Sequence, residues 1–331
     1  MNNLKEFAKK IFSANLYQFL VLCVNYYTDL KLYSKHSSVF NIDTYEKIES
    51  EITLRYHSIE KGFLHQSIRH KFAKLRVIEL IELLKKKEVV NKSSNTQIQS
   101  SYNILCKYFE FHQEAKVDIS DYFSSDDYQN FKSNLLLDRG AAKHHKLESF
   151  FKESMSDFKT FSNSRSSVRN FTGEKVPEKS LQDAVDLANN APSVCNRQTV
   201  NVYVIEDKYK INEILEIQGG LRGSSENLSQ LIVLTGNRNY FYSAGERNQL
   251  YIDGGIYLMN LLYALHYYKI GACPAHWGLP VTADKKAKKI LGLKESEQII
   301  CVIAIGNPVD VFSTALSLRK KHNENLRFVQ L

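Results

Sequence analysis

The sequence predicts an α+β protein in two parts: a mostly α-helical N-terminal region over residues 1–160, then a central mixed sheet flanked by helices over residues 161–331. Three observations predict it. All five prolines (Pro177, Pro192, Pro274, Pro280, Pro308) and every glycine except Gly62 and Gly140 lie beyond residue 160, and these residues punctuate turns and strand ends. Before that point, apolar residues recur at three- and four-residue intervals between charged ones, the spacing of a half-buried helix. After it, short β-rich runs alternate with helical patterns.

Taken in order, Leu4, Phe7 and Ile11 predict an amphipathic helix at the start, where Lys5, Lys9 and Lys10 flank the run "IFSANLYQFLVLCV". Ser13, Asn15 and Gln18 interrupt that run and no small-residue cleavage site follows. It therefore reads as a helix packed on the protein rather than a signal peptide, a bilayer span or a membrane-surface helix. "YEKIESEITLRYHSIEKGF" and "FAKLRVIELIELLKKKEVV" predict the next helices, "KSSNTQIQS" (92–100) a loop, and "SYNILCKYFEFHQ" another helix. In the second part "VNVYVIE" (200–206), "QLIVLT" (230–235) and "IICVIAI" (299–305) predict buried strands. Between them "PEKSLQDAVDLANN", "KYKINEILEI" and "RNQLYIDGGIYLMNLLYALHYYKIG" predict helices, the last capped at Gly271. Its Gly254–Gly255 pair predicts a close approach to another helix.

Composition narrows the function classes. The 331-residue chain is 43% apolar and 24% charged, an ordinary globular balance. Its formal charge of +8 admits an anionic partner or a solvated lysine-rich face. Cys23, Cys106, Cys195, Cys273 and Cys301 are widely spaced with no C-x-x-C; neither a disulfide framework nor a zinc site is expected, and a reducing cytoplasm is. Dispersed basic residues without a recognised module argue against nucleic-acid binding.

Four stretches carry candidate chemistry. In "SRSSVRNF" (164–171), Arg165, Ser167 and Arg169 fall at i, i+2 and i+4. In an extended segment they share one side, where two guanidiniums and a hydroxyl suit a phosphate. "NNAPSVCNRQTV" (189–200) ends a helix and leads into a strand, leaving Ser193, Asn196 and Gln198 on a turn with free backbone groups. "GACPAHWGLP" (271–280) reads as a tight connection exposing backbone N–H groups at Cys273, Pro274 and Ala275, with His276 and the single tryptophan, Trp277, as an aromatic wall. "SLRKKH" (317–322) offers a late arginine, Arg319. Each has an ordinary structural reading: a basic surface patch, a capping turn, a loop with a buried Trp, a solvated tail.

Their order is more informative than any one of them. R-S-S-V-R-x-F, a helix, A-P-S-x-x-N-x-Q, a strand, a late G-x-C-P, a strand ending I-G-N-P and a final arginine resembles the nitroreductase family of FMN-dependent oxidoreductases over about residues 160–331. The resemblance implies a nitroreductase-like fold and a homodimer with FMN at the subunit interface. It also implies ping-pong transfer from NAD(P)H to a small-molecule acceptor. It places Arg165, Ser166, Ser167 and Arg169 around the FMN phosphate and the polar edge of the ring, and Arg319 at the phosphate. Pro192, Ser193, Val194 and Asn196 would approach the flavin from the other subunit. Pro274, Ala275, His276 and Trp277 match the loop whose N–H groups meet flavin N5 and O4. No catalytic acid or base is implied; His276 is a candidate proton donor or a structural histidine.

The chain also departs from the family pattern. Thr199 stands where proline commonly follows the glutamine, Ser317 where some members carry a lysine, and "QGGLRGSS" (218–225) where an asparagine often sits beside the ring, with Arg222 as a substitute. "RYHSIEKGF" (55–63) places His57, Glu60 and Lys61 on neighbouring helix positions, either an ion-pair network or an element covering the flavin. Two other readings stay open: a different FMN reaction on a sugar- or carrier-linked intermediate, and a scaffold with a decayed flavin site.

Overall fold

A computed structural model describes residues 14–329 except Ser37, Gln66, 222–226 and Tyr242. Leu4, Phe7, Ile11 and Arg222 thus lie outside the described residues. The chain falls into two units, neither continuous in sequence: Thr28–His144 with Ser313–Leu331, and Met1–Tyr27 with His145–Phe312. The first helix, α1 (Ala14–His36), crosses one boundary. Its apolar residues fall on every side, so no single stripe can be buried, and Phe19, Tyr27, Leu30 and Tyr33 are exposed. The expectation of a helix packed on the protein fails over this stretch.

The helical unit is built on α2 (Tyr45–Gly62), α3 (Lys74–Leu84), α4 (Thr96–Glu114) and α5 (Ser125–Asn134). Thr44 starts α2 by accepting from Lys47 N–H at 3.4 Å, and Ser124 starts α5 by accepting from Asp127 N–H at 3.1 Å. Ile48, Ile52, Tyr56 and Ile59 form one face of α2 and join Val77, Leu80, Leu84, Ile98, Leu105, Tyr108, Phe123 and Phe131 in one core. The helix expected across 72–90 is interrupted at Lys85–Lys86. The loop expected over 92–100 is half helix, because α4 begins at Thr96 and Ile98 is buried: burial of that face outweighs the polar Ser/Asn composition. Residues 313–331 belong here too. Lys320 pairs with Glu49, and Glu324 accepts from Thr96 N–H at 3.2 Å and from its hydroxyl.

The other unit holds an antiparallel sheet of order β2-β3-β5-β4. Its strands are β2 (Val200–Ile205), β3 (Gln230–Asn237), β4 (Gly271–His276) and β5 (Glu297–Gly306). The short strands β1 (Lys143–Lys146) and β6 (Val311–Thr314) pair separately. The helices are α6 (Phe158–Ser164), α7 (Glu178–Ala188), α8 (Lys208–Gln218), α9 (Gln249–Tyr267) and α10 (Val281–Leu291). Alternation along β3 sends Leu231 and Val233 to one core, with Ile211 and Leu215 of α8, and Ile232 and Leu234 to the other, with Leu181 of α7 and Leu261 of α9. Between β3 and β5 the register shifts: Leu234 faces Cys301 but Thr235 faces Ile299, leaving Ile300 as a bulge.

Three expectations change here. α9 ends at Tyr267, not at Gly271, and Lys269 takes the left-handed φ of 61°. Gly271 instead opens β4. Gly254 does make a close approach, but to the sheet: a Cβ there would stand 2.9 Å from Ile300 Cγ1, while one at Gly255 would meet nothing within 4 Å. The connection expected at 271–276 is a strand. Pro274 is tolerated because β4 is an edge strand. Ala272 turns its carbonyl outward to Val168 N–H at 3.0 Å, so by alternation Pro274, which has no N–H, also faces outward and breaks no ladder bond.

Candidate functional site

The 165–170 segment is extended and lies on the outer edge of β4, through Val168 N–H to the Ala272 carbonyl. Val168 is buried in the core, so its neighbours Arg165, Ser167 and Arg169 alternate to the other side. Arg169 donates only a long 3.5 Å hydrogen bond, from Nη1 to the Ser167 carbonyl, and its Nε is buried with no partner. A buried guanidinium nitrogen without an acceptor is costly and suits an anion. Behind Arg165, His266 of α9 is 3% exposed among Phe150, Phe151 and Phe161 and shares a 2.7 Å hydrogen bond with the Ser164 hydroxyl. Burial, with the Arg165 charge adding to it, pushes the imidazole down to about 4, so it is neutral at neutral pH.

Next along the same edge, Ala275 turns its polar groups into the β5 ladder while His276 faces out. The Gln218 amide donates to the His276 carbonyl at 3.2 Å, and its own carbonyl accepts from Gly220 N–H at 2.7 Å. This fixes the start of the "QGGLRGSS" stretch on the strand edge. The His276 side chain is exposed. Trp277 does not form an aromatic wall: it is 7% exposed, packed in the core, and donates from Nε1 to Asp284 at 2.8 Å.

The 192–198 turn is strained and braced. Cys195, Asn196 and Gln198 take φ of 48°, 54° and 51°, in the left-handed region that costs non-glycine residues energy. The Ser193 hydroxyl accepts from Gln198 N–H at 2.9 Å, Arg197 pairs with Glu246, and Val194 N–H donates to both carboxylate oxygens of Asp253 at 3.3 Å. The turn leads into β2, at the opposite edge of the sheet from β4. With β3 and β5 between them, strand spacing separates the two edges by roughly 14 Å. One chain therefore brings Arg165–Arg169 and 274–277 together and holds Pro192, Ser193, Val194 and Asn196 apart from them. Arg319 lies in the helical unit, exposed, with Nη1 turned back on the Ser317 carbonyl. There its charge acts on Tyr56 of α2, beside the "RYHSIEKGF" stretch. In that stretch the buried Glu60 pairs with His57 Nδ1 at 3.0 Å.

Sequence reasoning missed Asp253, His266 and Gln218. The signal for Asp253 was available: it is the one acid in the nineteen residues of α9. No such signal marked Gln218, whose role depends on where α8 ends against β4.

Residues 163–221 and 225–307 match the nitroreductase family. Among solved structures, the chain is similar to a nitroreductase-like protein from Streptococcus mutans (20% identity, 53% of this chain and 99% of that one, TM-score 0.45). It is also similar to an FMN-dependent nitroreductase from Clostridium difficile (19% identity, 50% and 96%, TM-score 0.43). No curated protein matches it. No helix among the described residues is long and apolar enough to cross a membrane, and nowhere among them do three or more His, Cys, Asp or Glu residues gather as a metal-holding cluster. The R-S-S-V-R edge segment and the braced A-P-S-x-x-N-x-Q turn both lie within the residues that match the nitroreductase family.

Proposed function

We propose that this domain is an FMN-dependent oxidoreductase that works as a homodimer, accepting reducing equivalents from NAD(P)H and delivering them to a small-molecule acceptor. The observation that carries the reading is the buried, partnerless Nε of Arg169 beside Arg165 and Ser167. Such an arrangement fits a phosphate: two guanidiniums to balance its charge and a hydroxyl to complete its hydrogen bonds. When bound, FMN would supply the two-electron chemistry, alternately reduced by NAD(P)H and reoxidised by the acceptor.

The chain's own residues would bind, orient and screen. Arg165 and Arg169 hold the phosphate, with Ser166 and Ser167 between them. The outward-facing backbone of β4 at His276 offers an N–H donor on the same edge. Neutral His266 keeps a second positive charge away from Arg165. The proposal of a second copy is supported by the sheet order, which keeps the 192–196 turn of one chain from its own β4 edge. The surface we assign to that copy is on α9, where Tyr251, Ile252, Ile256 and Met259 are exposed around the open Gly255.

The test is the visible spectrum of the purified protein, with the released cofactor identified chromatographically, beside an Arg165→Ala/Arg169→Ala double variant. Stoichiometric FMN in the wild type, lost from a folded variant, and bleaching by NAD(P)H are expected. Each lost charge-assisted bond is worth roughly 1.5–3 kcal/mol, so affinity should fall by about a hundredfold or more. A colourless wild type that takes up no added FMN would refute the proposal.

A further inference from the structure

We propose that the cavity behind the 192–198 turn is a binding site for a small monovalent cation, ammonium or potassium. The inference goes beyond the flavin reading and does not depend on it. The cavity encloses about 160 Å³, and Asn189, Ser193, Thr199, Asp253 and Tyr257 are among its lining residues. Asp253 and Tyr257 stand four apart on α9 and so share the face that meets it. The Tyr257 hydroxyl donates to Asn189 Oδ1 at 3.0 Å and closes one wall.

Two groups in this cavity lack what their burial demands. Asp253 is 2% exposed, and its carboxylate receives only neutral donors: Val194 N–H at 3.3 Å and the Gln249 amide at 2.8 Å. No basic side chain pairs with it among the described residues. Two neutral donors, the longer one shared between both oxygens, leave the charge of a carboxylate withdrawn from water under-compensated. Thr199 is 1% exposed, and its Oγ1 has no hydrogen-bond partner. That hydroxyl stands where the family pattern commonly has proline, which carries none. One cation in the cavity satisfies both, balancing the carboxylate and taking a lone pair of the hydroxyl oxygen.

The lining also selects the ligand. A buried carboxylate rejects anions. Carboxylate, hydroxyl and amide oxygens, without thiolate or imidazole, favour a hard cation over zinc or copper. A single carboxylate is fewer than calcium ordinarily gathers. A water molecule claims about 30 Å³ of liquid, so the cavity admits a partly hydrated ion and excludes anything as large as a nucleotide. Bound there, the ion would tie the left-handed turn at Cys195, Asn196 and Gln198 to α9.

The experiment is thermal unfolding of the full chain in potassium, ammonium, sodium and choline chlorides at one ionic strength. The expected result is a saturable rise of several degrees in potassium or ammonium over choline, abolished in Thr199→Val, which keeps the side chain's shape. Asp253→Asn should also abolish it; if that variant does not fold, Thr199→Val decides. A response to ammonium alone assigns the site to an N–H donor, and one to potassium alone to a metal ion. Identical midpoints in all four salts, or a cation response that survives in Thr199→Val, would overturn the proposal.

Discussion

Replacing Glu297 by Gln should destabilise the sheet domain at neutral pH by about 3 kcal/mol, and the loss should shrink on acidification. Glu297 is 2% exposed at the start of β5. Its Oε1 gathers three donors: Asn201 Nδ2 at 2.9 Å, the Tyr203 hydroxyl at 2.8 Å and the Thr235 hydroxyl at 3.0 Å. Its Oε2 takes Lys294 N–H at 3.3 Å. One carboxylate thus joins β2, β3 and β5. The glutamine oxygen would keep its three donors without a charge to hold them, and its NH2 would face the Lys294 N–H and orphan that donor. One orphaned donor costs about 1–3 kcal/mol, and the surviving bonds lose their charge assistance, which brings the total to about 3 kcal/mol.

The pH dependence follows from the same contacts. Burial alone would raise the Glu297 pKa, but the bonds from Tyr203, Thr235 and Asn201 outweigh it and hold it below the ordinary 4.5. A depressed carboxyl contributes stability that is complete above the unfolded value and lost as pH falls through the folded one. Urea denaturation of wild type and Glu297→Gln, at neutral pH and in steps below 4.5, measures the difference while other carboxyls cancel. A gap under about 0.5 kcal/mol at neutral pH, within the range of an ordinary surface substitution, would refute the reasoning. So would a gap that stays constant on acidification.

Other outcomes follow from single contacts. Gly254→Ala forces a Cβ against Ile300 and should cost about 1–3 kcal/mol, whereas Gly255→Ala, with open space, should gain about 1 kcal/mol of helix propensity; paired melting curves of opposite sign are the check. Ile252→Glu with Ile256→Glu should give a monomer by sedimentation equilibrium and release FMN, if the α9 stripe is the dimer surface. His266 should stay neutral by NMR titration down to about pH 4. The unfolded chain binds that proton near pH 6.5, so stability should decline as pH falls between those values, by up to about 3 kcal/mol.

Much of the fold was legible because burial and periodicity coincide. β2, β3 and β5 are unbroken β-rich runs, and α2, α7, α8 and α9 carry their apolar faces at helical spacing. β4 was read as a connection because Gly271 and Pro274 signal turns, and only the sheet order shows that Pro274 sits on an edge. The polar "KHHK" of β1 has no strand pattern, and "VFST" of β6 is only four residues long. The Arg165–Ser167–Arg169 alternation could be read from spacing, since an extended segment fixes which side chains share a face. Trp277 could not: an aromatic beside a candidate site points to the core or the ligand according to a single peptide's orientation. The membership of residues 313–331 in the helical unit depends on contacts with no local trace.

That membership has a consequence for how the protein is made. Lys320 meets Glu49 across 271 residues of chain, and Glu324 meets Thr96 across 228. α2 and α4 leave the ribosome more than two hundred residues before the segment that completes their unit. The sheet unit is spelled out in between, so it can finish folding while the older helices still wait for their final contacts. A frameshift or proteolytic cut after residue 312 would therefore fall, in sequence, beside the sheet domain, and in effect on helices more than two hundred residues upstream.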